Sequence, residues 1–370
     1  MMNEVKLGLE VEFNLTDISG VVVNEADLIL GDHDAGSHIK SELAYSMVEI
    51  ICAPATDIVT LRNNIACSFS RLLSVAKKYG IKLLPAMPFV DSHYRKRISD
   101  RYEKKEVILG DKRRQYEYGI CGTHIHIDIL SDPVYHYNIM TALDPLYVLM
   151  SSTPFIKGRH KYIDSRVKIY RDYIFKKYPL HGCLQDYVKD TLEIDSRVEK
   201  TYKNWMSLCH SNGLSVDGFS RYNCNWGPLR ITEKTFETRS ADSNLLSNVI
   251  AFSALYAGIL RQLNKRHIKL PDIKVVKKYS EIGCIAGLKD NDVHDYVQKW
   301  MDIAKSGLGS EEYPFLEPFL VMLQDRKTLS DITLDKLQCE GYCPSNILSH
   351  EGAMRGHQYL SNLLEKDGDW

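Results

Sequence analysis

Three short segments of the chain alternate apolar and polar side chains residue by residue, which is the pattern of a half-buried β-strand. They are residues 5–15, 122–129 and 235–239. In the first segment every odd position is apolar, so Glu10 and Glu12 share the opposite face. Successive side chains of a strand point to opposite sides, so these two carboxylates stand side by side, roughly 6–7 Å apart along the strand.

The other two segments add histidine, arginine and further acidic residues in the same alternating way. His124, His126 and Asp128 share one face of the second segment, and Glu237 and Arg239 share one face of the third. If the three strands belong to one sheet, one face of that sheet carries a cluster of Glu, His and Arg. Because a buried charge without a partner is costly, this cluster indicates a bound ligand, and divalent metal and phosphate suit it.

Elsewhere the apolar positions follow helical spacing. They recur at helical intervals from Ile58 to Ala76, and Gly80 is typical of a position just past a helix C-terminus. A short strand is expected over residues 81–84, stopped by Pro85. Further helices are predicted over residues 134–152, 183–210, 244–267 and 290–305. Strands and helices in this irregular order predict an α+β fold with a mainly antiparallel sheet rather than a doubly wound parallel one.

Composition narrows the class of protein. The net charge of 370 residues is −1 at pH 7, which argues against nucleic acid as an electrostatic partner. The sequence contains no run of about 20 apolar residues of the kind that predicts a membrane span. The nine cysteines form no CxxC pair, which favours reduced thiols. Since the first residues also lack a secretory signal pattern, we expect a cytoplasmic protein.

No internal repeat or low-complexity linker divides the chain. We therefore expect a catalytic domain over residues 1–270 and a helical part over residues 271–370 that packs on the same domain. Residues 93–118 are strongly basic. For this segment we expect a solvent-exposed, mobile loop or helix, and the alternative is a lid over an anionic substrate.

Two more acidic residues precede the histidine segment. Glu49 lies within an otherwise apolar run, which favours a ligand over a surface residue because an uncompensated charge there is costly. Glu42 lies seven residues earlier, so on one regular strand the two side chains would point to opposite faces. The two carboxylates can converge only if a bend or loop separates them.

The donor chemistry indicates a metal site that also binds phosphate. Paired imidazoles at His124 and His126 can converge on one ion, although either one alone would by default be a structural histidine. Glu10 and Glu12 would also suit an edge strand whose polar face is in water. Carboxylates outnumber nitrogen donors and no cysteine belongs to the set, which fits Mg²⁺ or Mn²⁺ better than structural zinc. No nucleotide-binding glycine motif is present, so a nucleotide would be held through metal and arginine.

Four motifs in order resemble the glutamate-cysteine ligase family, particularly its bacterial type-2 or carboxylate-amine ligase branch. They are GLEVEF at residues 8–13, CGTHIH at residues 121–126, SSTPF with the following GR and SR at residues 151–166, and WGPLR with FETR at residues 226–239, followed by Asp242. The resemblance implies a glutamine-synthetase-like fold, in which a curved antiparallel sheet covered by helices forms a funnel for metal ions and ATP. It also implies ATP-dependent joining of a carboxylate to an amine.

The resemblance also implies roles for particular residues. By position, the metal-site residues are Glu10, Glu12, Glu42, Glu49, His124 and Glu237, of which Glu42 matches through its spacing from Glu49. Arg239 and Arg166 would be catalytic, and together with Arg230 they would contact ATP phosphates or the developing acyl phosphate. His126 and Trp226 are candidates for substrate binding. The implied cofactors are two or more Mg²⁺ or Mn²⁺ ions, with ATP as co-substrate. The basic residues 93–118 and the last hundred residues depart from the family pattern.

The function expected from this resemblance is an ATP-dependent carboxylate-amine or glutamate-cysteine-like ligase. It would form an amide bond through an acyl phosphate and release ADP and phosphate. Its expected partners are a small-molecule carboxylate and amine, amino acids or a peptide, and neither nucleic acid nor membrane; a homodimer is left open. Two alternatives remain: a metal-dependent hydrolase of the amidohydrolase type, whose barrel also opens with two alternating histidines, and a non-catalytic metabolite-binding module of the same fold.

Overall fold

The computed structural model describes residues 5–224, 226–263, 265 and 267–368. The strands are β1 (Leu7–Thr16), β2 (Ile39–Ser41), β3 (Met47–Ala55), β4 (Lys82–Leu84), β5 (Thr123–Asp128), β6 (Phe155–Ile156), β7 (Arg159–His160), β8 (Leu229–Ile231) and β9 (Thr235–Thr238). The helices are α1 (Ala26–Leu30), α2 (Ile58–Lys78), α3 (Asp100–Leu109), α4 (Asp111–Tyr116), α5 (Pro133–Ala142), α6 (Ser165–Lys168), α7 (Pro179–Gly182), α8 (Thr191–Ser211), α9 (Leu246–Leu263), α10 (Ile273–Ala286), α11 (Asn291–Gly307), α12 (Glu317–Asp325), α13 (Leu329–Cys339) and α14 (His350–Asp367).

The three alternating segments do belong to one sheet. Its seven strands are all paired antiparallel, in the order β2-β3-β1-β5-β9-β8, and β4 pairs with the end of β1. The α+β prediction with an antiparallel sheet is therefore confirmed. Long β1 lies between β3 and β5, so its two carboxylates stand near the middle of the sheet.

One face of the sheet is apolar and packs on helices. Val11, Ile50, Ile125 and Phe236 are fully buried in the main hydrophobic core, to which α2 and α9 also contribute. Because side chains alternate, the polar residues of the same strands are forced onto the opposite face. By length and composition α9 could cross a membrane, but 83% of it is buried inside the protein.

The first helix predicted from spacing is confirmed. Asp57 caps α2, where its side chain accepts a hydrogen bond from the Thr60 N–H at 2.7 Å. The helix ends at Lys78, and Gly80 adopts a φ of +68°, which side chains disfavour. Short β4 follows, as expected.

Two other predicted helices are shorter than their spacing suggested. The helix expected over residues 134–152 ends at Ala142, and a short 3₁₀ helix with Pro145 in its first turn follows. Proline lacks the N–H that would continue the α-helical bonding pattern. The helix expected over residues 183–210 begins only at Thr191, after Asp190 caps it.

The expectation of a solvent-exposed basic segment is wrong for several of its side chains. Residues 100–116 form α3 and α4, and within them Lys104 is 7% exposed and Arg113 is 1% exposed. The Lys104 ammonium donates to Ser215 Oγ at 2.7 Å and to the carbonyl of Asp217 at 3.0 Å. Tertiary partners, which local charge patterns do not reveal, hold these cations inside.

The last hundred residues form α10 to α14 and contribute to the buried core. Val276, Trp300 and Leu364 belong to the same hydrophobic cluster as the back of the sheet. Near the end of α14, Glu365 accepts a 2.8 Å ion-pair contact from Lys82 of β4. The division into parts near residue 270 stays a prediction.

Candidate active site

The strand register assembles the polar face of the sheet. The cross-strand pairs on this face are Glu12 with Glu49, Glu10 with His124, His126 with Glu237, and Arg230 with Glu237. Directly opposed residues have their Cβ atoms about 4.5–5.5 Å apart, so these pairs form one continuous cluster of donors across the strands. The hydrophobic alternation of each strand thus fixes which charged groups meet.

Two adjacent groups of donors lie within this cluster. In the first, His124 Nδ1 is 3.4 Å from Glu10 Oε2 and 3.6 Å from Glu237 Oε1. In the second, ligand atoms of Glu12, Glu49 and His124 lie within 4.8 Å of one another. His124 belongs to both groups. Each group is small enough to converge on one cation, and carboxylates dominate both.

Glu237 is fully buried and lies between two arginines. Arg239 contacts one oxygen of its carboxylate and Arg230 contacts the other. Burial alone would raise the pKa of Glu237, but Arg239 and Arg230 outweigh it and lower that pKa. The carboxylate is therefore ionised and can serve a cation on the side facing His124.

Glu42 and Glu49 converge because a turn separates β2 from β3. Burial, reinforced by neighbouring carboxylates, raises the pKa of Glu42 to about 8 and that of Glu49 to about 10. Both groups therefore hold a proton at pH 7 in the absence of a cation. A divalent ion would remove the mutual repulsion that raises the two pKa values, so this donor set fits Mg²⁺ or Mn²⁺.

The imidazole of His124 is held neutral. Burial, and secondarily the charge of Arg239, lower its pKa below the usual value. A neutral imidazole is the form that binds metal. His126 lies beside it, with Nε2 3.2 Å from Glu10 Oε1 and Nδ1 3.4 Å from Thr235 Oγ1. Asp128, on the same strand face, is exposed at the end of β5.

Arg166 reaches the cluster from α6, whose first turn is capped by Asp164. Its guanidinium is 1% exposed, with Nη2 3.2 Å from His124 Nε2 and Nη1 3.9 Å from Glu12 Oε2. Glu12 in turn accepts a 2.6 Å hydrogen bond from the N–H of Gly122. Arg166 is therefore placed next to both groups of donors.

The polar face opens into a cavity of about 230 Å³. Trp226 lines it and stacks on Tyr170, with ring centroids 4.0 Å apart and planes 10° apart. The cavity is also lined by residues that were not predicted for the site: Leu43, Arg101, Tyr102, Lys105, Arg113, Glu117, Ile120, Tyr170, Phe175 and Asn223. Those from Arg101 to Glu117 belong to the basic segment, and Tyr170 and Phe175 follow α6 along the chain. Nothing in their local spacing marked them. The basic segment is a cavity wall, which is closer to the alternative expected for it than to a solvated loop.

The sequence profile of glutamate-cysteine ligase family 2 (GCS2) matches residues 6–279. The chain belongs to glutamate-cysteine ligase family 2. The family resemblance is therefore confirmed, and the match includes every residue predicted for the site.

Relatives within the family are distant. The chain is 28% identical over 207 residues to "Putative glutamate--cysteine ligase 2-2" of Frankia casuarinae and 26% identical over 190 residues to "Putative glutamate--cysteine ligase 2" of Herminiimonas arsenicoxydans. These alignments cover 54% and 49% of this chain, but 23% and 49% of the two relatives. The chain thus spans half or less of the length of these curated family members.

Two solved structures share the fold. A glutamate-cysteine ligase of Francisella tularensis in complex with AMP matches with a TM-score of 0.68 at 11% identity, over 99% of this chain and 89% of that one. A bifunctional glutathione synthetase of Pasteurella multocida matches with a TM-score of 0.63 at 12% identity, over 97% of this chain and 52% of that one. The glutamine-synthetase-like fold is therefore confirmed. The barrel of the amidohydrolase alternative is not found, because strands in the described part of the chain pair only antiparallel.

Proposed function

We propose that this protein is an ATP-dependent ligase that joins a carboxylate to an amine through an acyl phosphate. One observation carries the proposal: buried Glu237 shares its carboxylate between Arg230 and Arg239 on one side and the donors around His124 on the other. Metal donors and phosphate donors therefore meet on one sheet face. Membership of glutamate-cysteine ligase family 2 supports the same activity.

The chemistry requires such a combined site. A carboxylate does not react with an amine at neutral pH, because its oxygen is a poor leaving group. Transfer of the γ-phosphoryl group of ATP to the carboxylate makes phosphate the leaving group, and the amine then attacks the carbonyl carbon. Amide, ADP and phosphate are the products. Positioning and charge stabilisation account for most catalysis of phosphoryl transfer, so no covalent protein nucleophile is required.

In this proposal the carboxylates and His124 hold two or more divalent ions. The proposed ligands are Glu10, Glu12, Glu42, Glu49, His124 and Glu237. The ions, when bound, neutralise phosphate charge and align the phosphates for in-line transfer. Arg239 and Arg166 stabilise the transferring phosphoryl oxygens, and Arg230 binds the ATP phosphates alongside Glu237.

The substrates would occupy the rest of the cavity. Trp226 offers a stacked indole surface there, and its buried Nε1–H has no hydrogen-bond acceptor among the residues described. His126 would contribute to substrate binding next to the metal site, where it contacts Glu10. The dimensions and polarity of the cavity suit amino acids or the end of a peptide. A cytoplasmic location, where ATP is available, completes the proposal.

The direct test incubates purified protein with ATP, Mg²⁺ and pools of amino acids and short peptides. Released phosphate and the masses of new products are measured. The expected result is phosphate release that requires both Mg²⁺ and an amino-acid pool, together with a product heavier than either substrate. Glu237→Gln should abolish it, whereas Glu233→Gln, on the exposed turn between β8 and β9, should not. Hydrolysis of an amide in the absence of ATP would support the hydrolase alternative instead.

A further inference from the structure

Asp242 is a buried acid that belongs to neither group of metal donors. It is 1% exposed and lies shortly after β9. Its backbone pairs with that of Gly122, just before β5, and beside this pair the Thr123 N–H donates to the carbonyl of Ala241 at 3.1 Å. The backbone of Asp242 is therefore held against the strand that carries His124.

The side chain of Asp242 binds a different part of the chain, the loop of residues 151–154. Its Oδ2 accepts the N–H of Ser152 at 2.9 Å and the N–H of Thr153 at 3.1 Å, and the Ser152 hydroxyl donates to the same oxygen at 3.3 Å. Hydrogen bonds to an ionised carboxylate are roughly twice as strong as those between neutral groups. Asp242 thus fixes the loop of residues 151–154 relative to β5.

The same loop holds the start of α6, the helix that carries Arg166. The Thr153 carbonyl accepts the N–H of Ser165 at 3.2 Å, and the Ser151 hydroxyl donates to Asp164 at 3.3 Å. Asp164 is the residue that caps α6. Because Arg166 lies in the first turn of this short helix, its position depends on the loop and, through the loop, on Asp242.

Arg166 and Asp242 also interact through their charges. Burial raises the pKa of Asp242 to about 6, and the positive charge of Arg166 opposes that rise. Asp242 Oδ1 and Arg166 Nη1 are both buried, and neither has a hydrogen-bond partner among the residues described. The carboxylate therefore offsets part of the cost of burying the Arg166 guanidinium.

We propose that Asp242 is a positioning residue that holds Arg166 in place for phosphoryl transfer. The inference rests on the proposed ligase function and adds a residue that does not itself line the described cavity. Without the Asp242 carboxylate, α6 can shift relative to β5. A misplacement of about 1 Å in a group that acts on the reaction can lower its rate by about 10²-fold, so Asp242 would matter although it touches no substrate.

A buried acid with several hydrogen bonds also stabilises a fold, and that role alone would not change the reaction. Glu312 is the matched control for stability. It is 8% exposed, accepts the N–H of Ile58 at 3.0 Å and pairs with Arg261. It joins the start of α2 to α9, and none of these three residues lines the cavity.

Hydrogen–deuterium exchange tests the link between Asp242 and α6 in the intact protein without any substrate. In Asp242→Ala, peptides that cover residues 151–168 should exchange faster than in the wild type, whereas Glu312→Gln should leave their exchange unchanged. Asp242→Asn keeps one oxygen for the two N–H groups, so its increase should be smaller. Wild-type exchange of residues 151–168 in Asp242→Ala, or in Asp242→Asn where only that variant folds, would overturn the proposal.

Kinetics separate positioning from a general loss of stability. The folded Asp242 variant should lower kcat by up to about 10²-fold with the KM for ATP near that of the wild type, and Glu312→Gln should keep the wild-type kcat. Because Asp242 acts through Arg166, adding the Asp242 substitution to Arg166→Gln should cause no further loss.

Two kinetic results would overturn the role of Asp242 alone: losses that multiply in the double variant, or an unchanged kcat in the folded Asp242 variant of an active ligase. Absence of any ligase turnover in the wild type would overturn the proposed function instead. The hydrogen exchange of residues 151–168 would then still show whether Asp242 holds α6 in place.

Discussion

The guanidinium of Arg166 passes directly over Gly122, so closely that a Cβ on the glycine would lie 2.3 Å from the arginine Cζ. Real Cβ atoms do not come that close to a non-bonded heavy atom. The same glycine donates its N–H to Glu12, and the next residues of β5 lead to His124. Glycine at this position is thus required by Arg166, an arginine that we propose binds phosphate.

The first prediction is that Gly122→Ala displaces Arg166 and lowers kcat by about 10²-fold, the order expected when one charge-stabilising donor is lost. The measurement is steady-state kinetics together with the melting temperature. Gly283→Ala in α10 is the control, because the atoms nearest to a Cβ there belong to Tyr147 and Val148 and lie at ordinary contact distances, and alanine favours a helix. Equal kcat for wild type and Gly122→Ala would show that Arg166 does not act on the reaction.

The second prediction concerns two proposed metal ligands. Glu49→Gln and His124→Ala should abolish turnover while the protein stays folded. Since Glu49 is a buried carboxyl surrounded by other carboxylates, its amide should keep or raise the melting temperature even as activity is lost. Asp128→Asn, an exposed acid on the same strand as His124, is the matched control. Normal activity of Glu49→Gln would make Glu49 a structural residue.

The positions of these acidic and histidine residues show how much of the site the sequence predicts. Alternation placed Glu10, Glu12, His124 and Glu237 on one face, and the cross-strand register does bring them together. Glu42 could not be placed by parity, because the turn between β2 and β3 decides its position. A period-two pattern specifies a strand face, but it carries no information about turns that reverse the chain.

The burial of the basic segment, residues 93–118, was not predicted for a different reason. Lysine and arginine are usually solvated, so a dense run of them predicts an exposed segment. Lys104 and Arg113 are buried because Ser215, Asp217 and Glu117 reach them from other parts of the fold or the next turn. Such partners are visible only in three dimensions. The clustering of the strand residues was therefore predictable from the sequence, and the burial of the basic segment against the cavity was not.

The third prediction is that binding of Mg²⁺ at pH 7 releases protons. With pKa values raised to about 8 and about 10, Glu42 and Glu49 are protonated before the ion binds, and a ligand carboxylate must lose its proton. Affinity for Mg²⁺ should accordingly increase as the pH rises through 8 toward 10. Calorimetry in two buffers of different ionisation enthalpy measures the release, and Glu49→Gln should reduce it. Identical heats in both buffers would count against protonated ligands.

The fourth prediction distinguishes a catalytic from a structural role for Arg239. Both the salt bridge to Glu237 and contact with phosphate are open to this side chain. Arginine offers a planar fork of donors that lysine cannot copy, so Arg239→Lys should keep the charge but lower kcat by ~10²–10³-fold. If only the melting temperature falls and kcat is retained, Arg239 stabilises the sheet and does not take part in the reaction.

The last prediction concerns stability at acid pH and the fully buried His357 of α14. Its Nε2 accepts the N–H of Phe89 at 2.9 Å, and its Nδ1 lies 2.8 Å from the carbonyl oxygen of Gly20, an arrangement that only the neutral ring satisfies. Burial lowers its pKa from 6.5 to about 4. The unfolded chain therefore binds a proton at a higher pH than the folded one. The stabilisation is complete above pH 6.5 and is lost as the pH falls from 6.5 toward 4.

At about 1.4 kcal/mol per pKa unit, this loss is on the order of 3 kcal/mol. Urea unfolding between pH 7.5 and pH 4.5 measures it. His357→Gln should lower stability at pH 7.5, because the hydrogen bonds to both loops are disturbed, but its stability should change less with pH than that of the wild type. His210→Gln, which changes an exposed histidine in the last turn of α8, should keep the wild-type slope. Parallel pH profiles for wild type and His357→Gln would mean that other groups govern the acid sensitivity.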